Sequence, residues 1–556
     1  FIRPGTEQRF VLVARKNKNR TGQKPAIGEM LLEARPAACL GDVRITTSYR
    51  EKTIRVEADR PAGYAVRNTV WLKDEKLCSF ADSARMEDAP LWGPFEFPLL
   101  RLVTELLDAD GTVVDEKETR FGFREIWADG MSLMWNGHPV RGDARAFLSS
   151  WGWDFDRRCK RQENMDTLLF AKRRGVKFLR HIYNGSEHLD VCDELGLLVA
   201  KGGMTVSGPS PELSANAALW KTKTLNDLSM VETFRNHPSV MTWYLSNEYY
   251  AEATDIHHKP VRAAILAVQA ADPTRFAEAG CDIDVRGTMN FFSTHYPVEL
   301  GAFRNCDCYM PDCFYWRPTG RDFVRGEAVP CGQVKDAANV PIKSPMKWGT
   351  KPIVINETCW DYFFGEPTGY SRIAGDEVFE NLDFRDKWHM ETDIEAVRGH
   401  RDAGAALWTT WRWFNGDDVG RVSPEVDVVN VQRYHAFYEG ADVAYDVNCF
   451  YDVWKPDALT WFWRLEDGAG RTVASGEKTF WLGPEGQPVG ESAWLVQTDA
   501  GCYIVGETAS FYGLLLKNKE TDKVSIAVNR NYKGNDGEFK KETSYFMHYG
   551  WIWYPS

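Results

Sequence analysis

Between about residues 30 and 125, apolar and polar positions alternate over short runs broken by turn residues. Val43-Arg44-Ile45-Thr46-Thr47, Thr53-Ile54-Arg55-Val56 and Leu100-Arg101-Leu102-Val103-Thr104 carry the period of two expected of a half-buried strand. Asp108-Ala109-Asp110-Gly111 has the composition of a hairpin turn. No stretch of helical period separates these runs, so residues 30–125 predict a small β-sandwich of the immunoglobulin-like kind.

The period then changes. Met165, Leu168 and Leu169 share a helical face that Gly175 should stop, and Val176-Lys177-Phe178-Leu179-Arg180 reads as the strand that follows. Leu189, Cys192 and Leu195 mark a second helix ended by Gly196, with Leu197-Leu198-Val199-Ala200 as its strand. Met230, Val231 and Phe234 lead into Val240-Met241-Thr242-Trp243-Tyr244-Leu245, and Val261, Ile265 and Val268 form a helix stopped by Pro273. Short apolar strands alternating with amphipathic helices are the pattern of parallel β/α units buried on both faces. Residues 140–145, 276–279, 289–295, 352–356 and 404–408 supply the remaining strands, giving eight. Eight such units over residues 126–420 predict a (β/α)8 barrel, with 297–351 as one long loop at its active-site face. From about 425 to 556 the alternation returns (Ala444-Tyr445-Asp446-Val447, Leu459-Thr460-Trp461-Phe462-Trp463), which predicts a C-terminal β-sandwich region. Residues 1–29 stand before the first sandwich as a separate N-terminal segment.

Composition narrows the function. Lys plus Arg number 67 against 79 for Asp plus Glu, a formal net charge of -12. Such a surface repels phosphate backbones and argues against nucleic acid as a partner. No apolar run approaches the roughly 18–20 residues of a membrane span. The 22 Trp and 21 Tyr suit sugar binding, although β-sandwich cores use the same residues. Of the 12 cysteines, Cys306, Cys308, Cys313 and Cys331 cluster without the paired spacing of a zinc site, so they read as loop thiols. Phe1-Ile2-Arg3-Pro4 has neither an initiator Met nor a signal pattern, which suggests a start inside a longer precursor and leaves the compartment open. A homo-oligomer is equally open.

Catalytic groups of such a barrel stand at the C-terminal ends of its strands. The fourth strand ends Leu245-Ser246-Asn247-Glu248, and the seventh ends Ile353-Val354-Ile355-Asn356-Glu357. Barrel closure brings the two carboxylates to one mouth. A pair of carboxylates there is what a retaining glycosidase needs, one as nucleophile and one as acid/base.

Arg235-Asn236-His237-Pro238-Ser239-Val240 running into Trp243-Tyr244-Leu245-Ser246-Asn247-Glu248 resembles the acid/base segment of glycoside hydrolase family 2. Leu91-Trp92-Gly93-Pro94, Phe121-Gly122-Phe123-Arg124-Glu125-Ile126, Asn136-Gly137-His138-Pro139-Val140-Arg141-Gly142, Cys192-Asp193-Glu194-Leu195-Gly196 and Lys351-Pro352-Ile353-Val354-Ile355-Asn356-Glu357 are similar to further family segments, in the same order, over residues 30–420. The resemblance implies Glu248 as acid/base and Glu357 as nucleophile. It implies Asn247 on the sugar 2-hydroxyl, Arg180 as the cation that orients the nucleophile, and either His295 or Tyr296 as a hydrogen-bond donor to it. Trp408, or Trp411 if the register differs, would floor the sugar site.

The departures from the family carry expectations too. Family members commonly begin with a jelly-roll domain, of which residues 1–29 would be a remnant or a linker. The segment after the third strand, Ala200-Lys201-Gly202-Gly203-Met204-Thr205, has neither the Glu nor the His that bind magnesium in bacterial β-galactosidases, so no metal or other cofactor is expected. Lys201 would either point into the mouth and favour an anionic substrate or extend to solvent. The Asn-x-Lys of the glucuronidases does not follow Glu357, where the chain reads Thr358-Cys359-Trp360-Asp361. A neutral sugar, with β-galactoside first, is the resulting expectation. A depolymerase-like relative gripping an anionic polysaccharide through Tyr309, Phe314, Tyr315, Trp316, Arg317 and Arg321 is the alternative. A non-catalytic sugar-binding barrel is a further one, disfavoured because binding alone needs no acid/base pair.

Overall fold

The computed structural model describes residues 35–145, 161–173, 175–182, 186–207, 214–247, 255–280, 284–285, 287–295, 329–335, 341–344, 350–358, 377–384, 404–410 and 423–430. It also describes a few positions between 390 and 401 and separate strands from 436 to 554. Two sheets open the fold. β1 (Val43–Ser48), β2 (Thr53–Ala58), β3 (Ala65–Leu72), β4 (Glu75–Phe80), β5 (Ser83–Arg85), β6 (Leu100–Leu107) and β7 (Val113–Phe121) pair in the orders β1-β2-β5 and β4-β3-β6-β7. The strict alternation of buried and half-buried positions along β6 places one face on a core of Val43, Ile45, Ile54, Val56, Val70, Leu100, Leu102 and Phe121. The predicted turn joins β6 to β7, with Asp108 Oδ1 accepting from the backbone N–H of Asp110 at 3.0 Å and of Thr112 at 2.8 Å.

A three-stranded antiparallel meander follows, β8 (Ile126–Asp129), β9 (Ser132–Trp135) and β10 (His138–Val140). The barrel then runs β11 (Gly142–Arg145), α1 (Arg161–Lys172), β12 (Phe178–Ile182), α2 (Ser186–Leu195), β13 (Leu198–Ser207), α3 (Ala217–Phe234), β14 (Val240–Asn247), α4 (Asp255–Ala271), β15 (Phe276–Ala279) and β16 (Phe292–His295). The insertion strands β17 (Val329–Lys335) and β18 (Pro341–Ser344) form an antiparallel hairpin, and β19 (Ile353–Thr358) and β20 (Leu407–Thr410) complete the eight. Barrel order is β15-β14-β13-β12-β11-β20-β19-β16, with every pairing parallel. At the seam between β15 and β16 the rings of Phe276 and Phe291 meet edge-on at 5.6 Å. β14 and β19 are buried along almost their whole length, as strands covered on both faces must be.

All eight predicted strands are present, but several begin later than the apolar runs do. Val176 N–H donates back to Ala171 O, Leu197 N–H to Cys192 O, and Ala405 N–H to His400 O. These residues close the preceding helix by satisfying its last carbonyls before any strand can start. Met289 is likewise held in a turn by its bond to Asp284 O, and Val140 pairs with Leu133 in the meander rather than joining β11.

Many of the motif residues build the junction between sandwich and barrel. Asn236 holds the backbone of β1 from both sides, accepting from Ile45 N at 3.1 Å and donating to Val43 O at 2.6 Å. Arg124 donates to Pro238 O and Val240 O, and Trp92 Nε1 donates to Asp193 O. Asp193 in turn accepts from Ser239 N and shares a 2.7 Å hydrogen bond with His237 Nδ1. All of these lie at the N-terminal ends of the barrel strands, opposite the expected mouth. In the tail, 443–451 pairs antiparallel with 426–430 and 491–495, and 457–466 pairs with 472–482.

Candidate active site

β12 carries Arg180 into the barrel, and β19 carries Glu357 to meet it. Arg180 Nη1 donates to Glu357 Oε1 at 2.5 Å, with side-chain exposures of 0% and 2%. Burial opposes a charge on Arg180. The facing Glu357 carboxylate and the Tyr244 hydroxyl together outweigh that penalty and hold the guanidinium above its ordinary range. Arg180 Nη2 donates to Tyr244 Oη and to Asn247 Oδ1, each at 3.0 Å, and Tyr244 Oη donates to Asn247 Oδ1 at 2.8 Å. Asn247 is half-buried at the end of β14, and its oxygen is committed to these two donors.

Two adjacent residues of β19 point to different partners, and the register explains how. Thr294 pairs with Ile355 but His295 pairs with Glu357, so the ladder slips by one residue at Asn356. Such an irregularity re-aims side chains that strict alternation would separate. Asn356 Nδ2 then reaches Glu278 Oε2 on β15 at 2.8 Å and Ser293 Oγ on β16 at 2.6 Å, tying the seam. Glu278 is fully buried, and burial pushes its carboxyl up to about 7, against the opposing effects of Asn356 and Arg180.

The sequence-derived candidates fare unequally. Arg180, Asn247 and Glu357 are brought together. Glu248, Tyr296 and Trp411 lie outside the described residues, as does the cysteine cluster's core of Cys306, Cys308 and Cys313 and the aromatic and arginine positions of the long loop. His295 sits beside Glu357 in the strand register. Trp408 does not line the mouth: it is fully buried, Arg401 lies 5.3 Å over its ring, and its Nε1 donates to Ser423 Oγ at 3.2 Å. It is a core tryptophan.

Neither expectation for Lys201 holds. It shares strand parity with Gly203, whose α-carbon faces Met230 and Asp227 of α3, so its side chain leaves the barrel on the helix side. There Nζ stands 4.9 Å from the Phe234 ring centroid and donates to Gly202 O, and burial lowers its pKa to about 8.

Tyr244, Glu278, Asn356 and Gly280 were not singled out from the sequence. A Cβ on Gly280 would stand 1.6 Å from Tyr244 Oη, so glycine there makes room for the hydroxyl that Arg180 and Asn247 use. A glutamate inside the four-residue apolar strand Phe276-Ala277-Glu278-Ala279 was the available signal for Glu278.

Two other features compete for attention. A cavity of about 620 Å³ opens at the sandwich–barrel junction beside Arg124, Asn236 and Arg275. Its Arg50 bonds Glu125 and its Arg275 bonds Asp272, and it lies at the opposite end of the barrel from Glu357. Among the described residues, Asp190, Asp193 and His237 bring possible metal-ligand atoms within 4.8 Å of one another. Asp193 and His237 are engaged with each other and with Ser239 in that same junction.

The eight parallel strands form a TIM barrel with a buried Arg–Glu pair at its strand ends. Residues 172–309 match the family model described as glycosyl hydrolases family 2, TIM barrel domain. A curated relative from Formosa agariphila, named "Putative beta-glucuronidase", is 28% identical over 252 residues, covering 40% of this chain and 22% of the relative. Among solved structures, a β-glucuronidase from Ruminococcus gnavus in complex with an N1-substituted uronic isofagomine superposes with a TM-score of 0.51 at 16% identity, over 68% of this chain and 61% of that one. A Bifidobacterium dentium β-glucuronidase complexed with coumarin-3-O-glucuronide gives 0.50 at 15% identity, with the same coverage. At such identity these two show the fold. The chain thus matches less than two thirds of each relative's length. The β-galactoside expected from the sequence is not what these relatives' names carry. Among the described residues, no helix is long and apolar enough to cross a membrane.

Proposed function

We propose that this chain is a retaining exo-β-glycosidase that removes a terminal β-linked sugar, with a uronide as the preferred class. The observation that carries the reading is the buried Arg180–Glu357 ion pair, joined through Arg180 to Tyr244 and Asn247. A nucleophilic carboxylate must be ionised, and a guanidinium at 2.5 Å favours that form. Glu357 then attacks the anomeric carbon to form a glycosyl ester. Glu248, next in the chain after Asn247, protonates the leaving oxygen and later activates water. Asn247 keeps its Nδ2 as a donor for the sugar 2-hydroxyl, because its oxygen already accepts from Arg180 and Tyr244. His295, at the end of the sixth strand, or Tyr296, next in the chain, supports the nucleophile. The uronide preference replaces the galactoside expectation and rests on the name of the curated relative.

The same reading takes residues 30–125 as an immunoglobulin-like sandwich, 126–420 as the catalytic barrel and 425–556 as a C-terminal β-sandwich region. The sheet orders β1-β2-β5 and β4-β3-β6-β7 support the first of these. Turnover of a panel of nitrophenyl β-glycosides (glucuronide, galacturonide, galactoside, glucoside, mannoside) is the test. Release from a β-uronide ahead of the neutral sugars is expected. Preference for a neutral sugar would overturn the substrate class, and no release from any would overturn the activity.

A further inference from the structure

Among the described residues, two carboxylates, Glu357 and Glu278, and one cation, Arg180, meet inside the barrel. Arg180 spends Nη1 on Glu357 and Nη2 on Tyr244 and Asn247. Glu278, at 0% exposure, faces Asn356 of β19, Ser293 of β16, Thr242 of β14 and, at longer range, Arg180 of β12. Among the described residues, an ionised Glu278 would therefore be a buried charge with no ion-pair partner of its own, and burial favours the protonated form.

The hydrogen bonding points the same way. Glu278 Oε2 accepts from Asn356 Nδ2 at 2.8 Å, while among the described residues Glu278 Oε1 and Asn356 Oδ1 are both buried without a hydrogen-bond partner. The hydroxyls of Thr242 and Ser293 also act on this carboxyl and favour its charged form, but they carry no charge to balance it. A proton on the carboxyl removes the buried charge and turns one of its oxygens into a donor. Burial, the largest influence on this carboxyl, acts in the same direction.

We propose that Glu278 works as a neutral carboxylic acid, a positioning residue that locks Asn356 across the β15–β16 seam and so fixes the strand end from which Glu357 reaches Arg180. The role rests on the reading of Glu357 as nucleophile. Ionisation of Glu278 places a second carboxylate in competition for Arg180. Turnover should then fall on the alkaline side through kcat, with KM little changed, since Glu278 touches no substrate.

Infrared difference spectroscopy of the full chain, titrated from about pH 5 to about pH 9, tests the protonation directly. The expected result is a buried carboxylic-acid carbonyl band that titrates out near neutral pH and is missing in Glu278→Gln. Glutamine mimics the neutral acid, so E278Q should keep kcat within about fivefold at acid pH and move the alkaline limb upward, whereas E278A should lose about tenfold or more at every pH. An E278Q profile with an unmoved alkaline limb, or a wild-type spectrum without the band above about pH 5.5, would overturn the proposal. Should E278Q fail to fold, the wild-type band alone decides. A chain inactive on all glycosides would overturn the glycosidase reading instead, and the band would still report the state of Glu278.

Discussion

Replacing Arg180 by methionine removes the cation and keeps most of the side-chain volume. The partner left behind, Glu357, has a side chain 2% exposed and would lose a 2.5 Å charge-assisted bond. Breaking a buried pair from one side costs about 3–5 kcal/mol, because the remaining charge is uncompensated. Where that cost falls on the attacking carboxylate, about 1.4 kcal/mol per tenfold makes it a loss in kcat/KM of about two to three and a half orders of magnitude. Tyr244 and Asn247 each lose a donor as well. The assay is kcat/KM on an activated β-glycoside near neutral pH, with a thermal melt to establish that the variant is folded. R180M within about threefold of wild type would refute the reasoning.

Gly280→Ala adds a methyl where Tyr244 Oη stands, 1.6 Å away, so the ring must move and leave Arg180 and Asn247. A fall in kcat of about tenfold or more is expected, and Tyr244→Phe in the same background should add little further loss. A full additional loss from Y244F would show that the hydroxyl had stayed in place. Lys201→Met should leave kcat/KM within about twofold on neutral and anionic substrates alike, because Lys201 packs under α3 outside the mouth. The folded chain with lysine binds fewer protons than the unfolded chain between about 8 and the ordinary 10.5, so wild-type stability rises with pH across that window. That rise, at most about 3 kcal/mol by the size of the shift, should be missing in K201M melts.

The sequence made the barrel legible because its strands are continuous apolar runs separated by amphipathic helices. The same continuity hid strand starts and side-chain directions. Val176, Leu197 and Ala405 are apolar whether they begin a strand or close a helix, and here they close helices. In a strand buried on both faces, alternation does not tell inside from outside, so Lys201 was placed in the mouth or in solvent when it packs under a helix. Trp408 was placed on the sugar floor when it packs against Arg401. The ion-pair residues were readable because strand ends carry chemistry in this fold, and Arg180 and Glu357 are charged residues in otherwise apolar strands. The pairing of Asn356 with Glu278 was not, since it depends on a one-residue slip in the β16–β19 register that no pattern of polarity records. The family-like segment Arg235-Asn236-His237-Pro238-Ser239 lies close in sequence to the acid/base position, yet in the structure Asn236, His237 and Ser239 secure the sandwich to the barrel floor.

The central claim is that Glu357 forms a covalent bond to the sugar. Incubating the chain with a 2-deoxy-2-fluoro β-uronide bearing a good leaving group slows the second step more than the first, so the glycosyl ester accumulates. Intact mass should rise by one fluoro-sugar, and peptide mapping should place it on Glu357, with no label in Glu357→Gln and slower labelling in R180M. A label on any other residue, or turnover of the probe's parent glycoside with an α anomer as the first product, would contradict the account.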